Sequence, residues 1–294
     1  MVIVRLTGGL GNQMFQYAAG RALADRLGAE LLLDTRAFKQ ALALNPYTRR
    51  AYALSPFKVR ARLATDADLK SWPVWVVEIG MRLRFLRPLF PRWHFESGIA
   101  YDASLLTLHE PVCLVGYWQS ERYFIDIADR IRADFTLSEP LSDANARLLV
   151  LARDGDSVGL HVRRGDFVSL SDAAQVHGLC SIDYYRRGIS LVRERRPECR
   201  FLVFSDDPQW ARAELPLDAS AVFVTGNAEA PEQDLALMSA CKHQIIANSS
   251  FSWWAGWLGY SPDQIVIAPA PWYASPKLDA RDLAVARWQY ISRV

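Results

Sequence analysis

Between Val158 and Ala268 short apolar runs alternate with helical patterns, and no other feature constrains the fold as tightly. The runs fall at 158–162, 201–204, 221–224, 244–247 and 265–268. Helical patterns follow at 182–195, after Pro208, at 232–240 and after Ser249. Strands this short and this apolar are buried on both faces, so the alternation predicts a parallel sheet covered by helices. The first third begins the same way. An apolar run at 2–6 precedes Gly8-Gly9-Leu10-Gly11, a helical pattern at 12–27 and a run at 31–33, which together read as a βαβ unit. A further strand at 112–116 leads into a helix expected at 121–133. The pattern loosens at 136–140, where a domain boundary is expected. With 294 residues, 51% of them hydrophobic, the chain can supply two cores. The expectation is an α/β protein of two Rossmann-like domains facing a cleft, spanning 1–137 and 138–278. Residues 279–294 are expected to form a helix returning to the first domain.

The strand at 158–162 ends in concentrated charge: Gly159-Leu160-His161-Val162-Arg163-Arg164-Gly165-Asp166-Phe167. Side chains two apart share a strand face, so His161 and Arg163 point one way and Arg164 the other. Gly165 lets the backbone turn, and Asp166 is within reach of either guanidinium. Arginine suits phosphate because its planar fork donates paired, charge-assisted hydrogen bonds while staying charged. The carboxyl end of a strand in an open α/β sheet is also where ligands bind. A structural ion pair with Asp166 is the competing account.

Two more strand ends carry chemistry. Asn248-Ser249-Ser250-Phe251-Ser252 follows the run at 244–247 and opens a helix, so backbone N–H groups, hydroxyls and the dipole offer a seat for a diphosphate; capping accounts for one hydroxyl. Phe204-Ser205-Asp206-Asp207-Pro208 reads as a helix cap, with one carboxylate available to a ribose. The tryptophans Trp253, Trp254 and Trp257 recur at helical spacing and read as core. Asp154-Gly155-Asp156 is the chain's one Asp-x-Asp, but it precedes its strand and reads as a turn, so no metal requirement is expected.

Net charge is +2 with the signs mixed, which leaves no basic footprint for nucleic acid. Cys113, Cys180, Cys199 and Cys241 lack metal-ligand spacing, and the opening Met-Val-Ile-Val-Arg has no signal-peptide pattern. Reduced thiols in the cytoplasm are expected. The segment 72–95 mixes Trp72, Trp75, Phe85, Phe90, Trp93 and Phe95 with Arg82, Arg84, Arg87 and Arg92. Its charges and Pro73, Pro88 and Pro91 rule out a transmembrane helix. Aromatics packed on the first domain with arginines in solvent are the preferred reading, and peripheral contact with the inner face of the cytoplasmic membrane is the alternative.

His161-Val162-Arg163-Arg164-Gly165-Asp166 resembles the His-x-Arg-Arg-x-Asp motif of the α1,2-fucosyltransferases of glycosyltransferase family 11, whose relatives include α1,6- and protein O-fucosyltransferases. The resemblance recurs, in the family's order, at Leu6-Thr7-Gly8-Gly9-Leu10-Gly11-Asn12-Gln13-Met14-Phe15-Gln16-Tyr17, at Gly116-Tyr117-Trp118-Gln119-Ser120-Glu121-Arg122-Tyr123-Phe124 and at Asn248-Ser249-Ser250-Phe251-Ser252-Trp253-Trp254. It implies a glycosyltransferase B-type fold. It also implies inverting transfer of L-fucose from GDP-β-L-fucose to the 2-hydroxyl of a galactose-containing oligosaccharide; with no signal-peptide pattern at the start of the chain, lipopolysaccharide or other surface polysaccharide assembly on the cytoplasmic side is the expected setting. By the same resemblance Asn12 and Gln13 lie near the sugar or diphosphate, Tyr117 to Gln119 lean toward a wall of the acceptor cleft, and Asp234 reads guanine with His161 on the same side. Arg163 is expected to hold the leaving phosphate, with Arg164 assisting it or bracing Asp166, and His161 and Asp166 are the candidate bases. No cofactor is expected beyond the donor. A non-catalytic carbohydrate-binding protein, a transferase of other linkage and a nicotinamide oxidoreductase are the alternatives; against the last stands the missing Gly-x-Gly-x-x-Gly.

Overall fold

The computed structural model describes residues 1–39, 51–165 and 176–294. They divide into two compact units. Met1–Ser138 with Arg281–Leu283 form the first, and Glu139–Ala280 with Ala284–Val294 the second.

The first unit is built on a parallel sheet. Its strands are β1 (Val2–Arg5), β2 (Leu31–Asp34), β3 (Arg62–Leu63), β4 (Trp93–Phe95) and β5 (Val112–Val115), in the order β3-β2-β1-β5-β4. β1, β2 and β5 are buried along their whole length, which is why they read as unbroken apolar runs. Helices α1 (Leu10–Leu27), α2 (Arg36–Lys39), α3 (Val74–Arg82) and α4 (Ala128–Asp134) accompany it. Gly20 lets α1 approach the sheet. A Cβ there would fall 2.2 Å from Val4 Cγ2 and 3.2 Å from Leu31 Cδ1.

The second unit begins with α5 (Asp143–Arg153), capped by Ser142. Its strands are β6 (Ser157–Val162), β7 (Arg200–Ser205), β8 (Val222–Val224), β9 (His243–Ile245), β10 (Val266–Ala270) and β11 (Gln289–Ser292). All are parallel, in the order β11-β10-β9-β6-β7-β8. The intervening helices are α6 (Ile182–Arg195), α7 (Pro208–Glu214), α8 (Pro231–Ala240) and α9 (Ser250–Leu258). Val158, Leu160 and Val162 pack with Tyr184, Tyr185 and Ile189 of α6. Trp253, Trp254 and Trp257 are fully buried, with Trp253 5.5 Å from Trp288, so they are core as their spacing suggests.

Two expectations are corrected. Residues 279–294 do not form a helix: a single 3-10 turn, Arg281–Leu283, belongs to the first unit, and Gln289–Ser292 adds β11 to the exposed edge of β10. That edge offers unpaired backbone groups to a Tyr-Ile-Ser sequence suited to a strand, while Trp288 anchors the entry in the tryptophan cluster. The helix expected at 121–133 is likewise broken into 3-10 turns Glu121–Tyr123 and Ile125–Ile127 before α4. Phe124 leaves helical geometry at φ −141° and buries its ring against Phe15.

Because α1 lies so close to the sheet, Gly20→Ala is expected to destabilise the protein by about 1–3 kcal/mol. Denaturant unfolding checks this, and Val4→Ala in the same chain should restore part of the loss.

Candidate active site

In a parallel sheet every strand ends at the same edge, and a crevice opens where successive strands depart in opposite directions. In the second unit the chain adds β7 and β8 on one side of β6, then crosses to add β9, β10 and β11 on the other. The switch therefore lies between the carboxyl ends of β6 and β9. The residues following those ends are Arg163, Arg164 and Gly165 on one side and Asn248 to Ser252 on the other.

His161, on β6, is buried, its Nδ1 has no hydrogen-bond partner among the described residues, and its ring lies 5.5 Å from that of Phe251. Burial, reinforced by Arg163, lowers its pKa to about 4, so the imidazole is neutral at neutral pH. Arg163 Nη1 pairs with Asp206 Oδ2 at 3.0 Å. Strand register dictates that contact: Val162 stands opposite Ser205, so the next residues of β6 and β7 emerge side by side. Arg164 turns to the other face, as alternation requires. Its backbone N–H donates to Asp206 Oδ1 (2.8 Å), its Nε reaches Asp207 Oδ2 (3.4 Å), and its guanidinium lies 4.0 Å from the centre of the Trp210 ring. Asp207 also caps α7, accepting from the Trp210 N–H. Asp166 lies outside the described residues.

The segment 248–252 divides by role. Asn248 is buried and its amide donates to the carbonyls of His177, Gly178 and Trp272, so it fastens surrounding segments. The Ser252 hydroxyl is buried and donates to Ala247 O and Ser249 O. Ser249 is the N-cap of α9 but makes no side-chain cap hydrogen bond. Ser249, Ser250 and the first amides of α9 are therefore the groups suited to an anion. Asp234 stands in the first turn of α8, at the same edge of the sheet. It accepts from Asn227 Nδ2 at 2.6 Å, Asn145 continues the chain to Asn227 Oδ1 at 2.8 Å, and burial raises the Asp234 pKa. Asp154 and Asp156 precede β6 at the opposite edge, held by Arg200 and Lys242.

The first unit has its own switch, between β1 and β5. Gly8, at φ +77°, turns the chain from β1 into α1, where Asn12 Nδ2 would lie 2.6 Å from an added Cβ. Asn12 accepts from Gln119 Nε2 at 2.9 Å, joining the ends of the two strands. Gln13, which the resemblance puts near the donor, is buried and occupied otherwise: it donates to Gly8 O and Ala51 O and accepts from the Ala53 N–H. Trp118 is fully buried and stacked on His94, so of the aromatic pair only Tyr117 offers a surface. Trp118 has φ +56°, which costs a non-glycine residue about 1 kcal/mol or more. Glu96 holds this turn, accepting from the N–H groups of Tyr117 (2.7 Å) and Trp118 (2.8 Å), and burial raises its pKa.

Sequence reasoning missed two of these groups. Asp206 as the arginine's partner was recoverable once 158–162 and 201–204 were aligned as parallel neighbours. Glu96 carried no local signal.

Comparison with known proteins decides the class of this site. Residues 93–292 match the model of glycosyl transferase family 11. The chain belongs to that family. Among its relatives, an alpha-1,2-colitosyltransferase of Escherichia coli is 34% identical over 299 residues, covering 100% of this chain and 99% of the relative. A galactoside alpha-(1,2)-fucosyltransferase 1 of Plecturocebus brunneus is 28% identical over 260 residues, covering 85% of this chain and 63% of the relative. Among solved structures, a NodZ alpha-1,6-fucosyltransferase soaked with GDP-fucose aligns with a TM-score of 0.51 at 16% identity, covering 90% of this chain and 94% of that one. That last likeness is one of fold. The family 11 match includes β6, β9 and the arginine pair, so the charged switch point lies within the part of the chain that defines its class.

The buried His161 generates a pH prediction. With its folded pKa below the unfolded value, the unfolded chain binds the extra proton, so stability is full above about pH 6.5 and falls as pH drops toward 4. His161→Asn is expected to flatten that part of the curve. The difference between wild-type and variant unfolding free energies across pH measures it and cancels the other titrating groups.

Proposed function

We propose that the chain is an inverting fucosyltransferase that moves L-fucose from GDP-β-L-fucose to the 2-hydroxyl of a galactose-type residue in a glycan. Family membership and an α1,2-transferring relative that matches over the whole chain support the reaction class. The observation that carries the donor site is the 5.5 Å approach of His161, on β6, to Phe251 in the first turn of α9, which sets the uncapped start of that helix and the strand end that leads into Arg163 at one switch point. Cleaving the bond to a diphosphate develops negative charge on the leaving oxygen, and a preorganised guanidinium and a helix terminus stabilise it without a moving solvent shell. The ion pair with Asp206 aims the Arg163 fork. Arg164, held by Asp207 and Trp210 on the other face, supports the turn rather than the phosphate.

In this reading Asp234 accepts the two N–H groups on guanine's pairing edge, and Asn227 orients its carboxylate. A neutral His161 donates or accepts one hydrogen bond toward the donor, and its low basicity disfavours it as the base. Asp166, or late deprotonation in a dissociative transition state, then removes the acceptor proton. No metal is required in this scheme, and chelation is expected to leave turnover unchanged. The reaction is proposed to run in the cytoplasm, in keeping with four free cysteines, and to serve lipopolysaccharide assembly.

The 34% identity to a colitosyltransferase favours a second donor reading, GDP-colitose. Colitose is fucose without its 3-hydroxyl, so a site built to bond that hydroxyl rejects colitose strongly, whereas an apolar site discriminates weakly.

Arg163→Ala is expected to lower turnover by about two orders of magnitude, corresponding to roughly 3 kcal/mol of lost charge stabilisation. GDP, but not ADP or UDP, should raise the unfolding temperature of metal-stripped protein, and Asp234→Ala should abolish that shift. Turnover with GDP-fucose against GDP-colitose chooses the sugar. The reading fails if GDP gives no shift at saturation, or if the Arg163 variant keeps normal turnover.

A further inference from the structure

The segment 72–95 splits into an inner layer and an outer one. Trp72, Val76, Val77, Trp93 and Phe95 are buried in the core of the first unit, as the amphipathic pattern predicts. The outer layer is different. α3 and the 3-10 turn Arg84–Leu89 present Trp75 (52% exposed), Met81 (58%), Phe85 (76%) and Leu89 (69%), with Leu83 between them. Five of the thirteen exposed large apolar side chains among the described residues thus fall within fifteen positions, which is a patch rather than scatter.

The patch is held in place. Arg87 donates from Nε to Gly80 O (2.9 Å) and from Nη1 to Glu96 O (3.2 Å), with its guanidinium over Phe95, so the turn is fastened to the sheet beneath it. Arg92 does the same from the other side, over Trp72. Arg82 and Arg84 are exposed and make no ion pair among the described residues. Between 72 and 95 there are four arginines and one carboxylate, Glu78.

We propose that this corner docks on an anionic lipid surface, with Phe85, Leu89 and Met81 entering the acyl boundary and Arg82 and Arg84 meeting the phosphate headgroups. The combination of protruding apolar groups with unpaired cations beside them fits such a surface, which solvates both at once. A second copy of the chain fits poorly, because a symmetric contact would bring the same arginines face to face. No helix among the described residues is long and apolar enough to cross a membrane, so the contact is peripheral. The inference does not depend on which sugar is transferred.

The test is co-sedimentation of the full chain with vesicles of phosphatidylcholine alone and of phosphatidylcholine mixed with phosphatidylglycerol, at low and high salt. Binding is expected to the mixed vesicles only and to weaken with salt. Each arginine near such a surface is worth roughly fivefold in partitioning, so R82Q/R84Q should bind about 25-fold more weakly. F85S/L89S should lose binding. All four side chains face solvent, so both variants should keep the wild-type unfolding midpoint; if F85S/L89S does not, the arginine pair decides. Absence of sedimentation at low salt, or wild-type binding by R82Q/R84Q, overturns the proposal. So does a lipid-free dimer that F85S/L89S converts to monomer, which would assign the patch to a second copy.

Discussion

Parallel pairing is the constraint from which the rest follows. Because every strand in each sheet runs the same way, all the carboxyl ends gather at one edge, and any residue just beyond an apolar run arrives there whatever its distance along the chain. Arg163 and Ser249 are far apart in sequence but follow adjacent strands. The switch of direction at β6 and β9 opens the sheet where the histidine, the arginine and the start of a helix meet. The same rule brings Asn12 and Gln119 together at the ends of β1 and β5 in the first unit.

Register then sets finer detail. With Val162 opposite Ser205, the arginine leaving β6 and the aspartate leaving β7 are neighbours without any loop having to arrange them. Alternation along β6 sends Arg163 and Arg164 to opposite faces, so adjacent and chemically identical side chains acquire different surroundings. One lies beside the buried His161 and the other over Trp210. The buried histidine stays neutral because a charge there would be both desolvated and close to the guanidinium.

Much of this was legible in the sequence because strands and their ends leave local marks. The runs at 158–162 and 201–204 lie within one residue of the observed strands at either end, and the tryptophans at helical spacing are core. What the sequence concealed depended on partners distant in the chain. Phe124 breaks an otherwise helical segment because Phe15 offers its ring a buried place. The tail from 279 onward reads as helix until an open strand edge at β10 is available to it. Gln13 stands in the first turn of α1, just after the glycine loop, where the resemblance suggests ligand binding, yet its amide is taken up by Gly8, Ala51 and Ala53. Asn248 shows the same conflict: a residue at a helix start invites an anion-binding role, and only the carbonyls of His177, Gly178 and Trp272 reveal its structural one.

The ion pair between Arg163 and Asp206 has a consequence for selectivity among anions. A guanidinium already partnered by its own carboxylate presents little net charge to solvent, so a small free anion gains little by approaching it. A ligand anchored elsewhere at the same time can hold a phosphate against the fork long enough to share or displace the carboxylate. In the proposed donor site the built-in counter-ion would thereby act as a filter, reserving the arginine for anions delivered on a larger body.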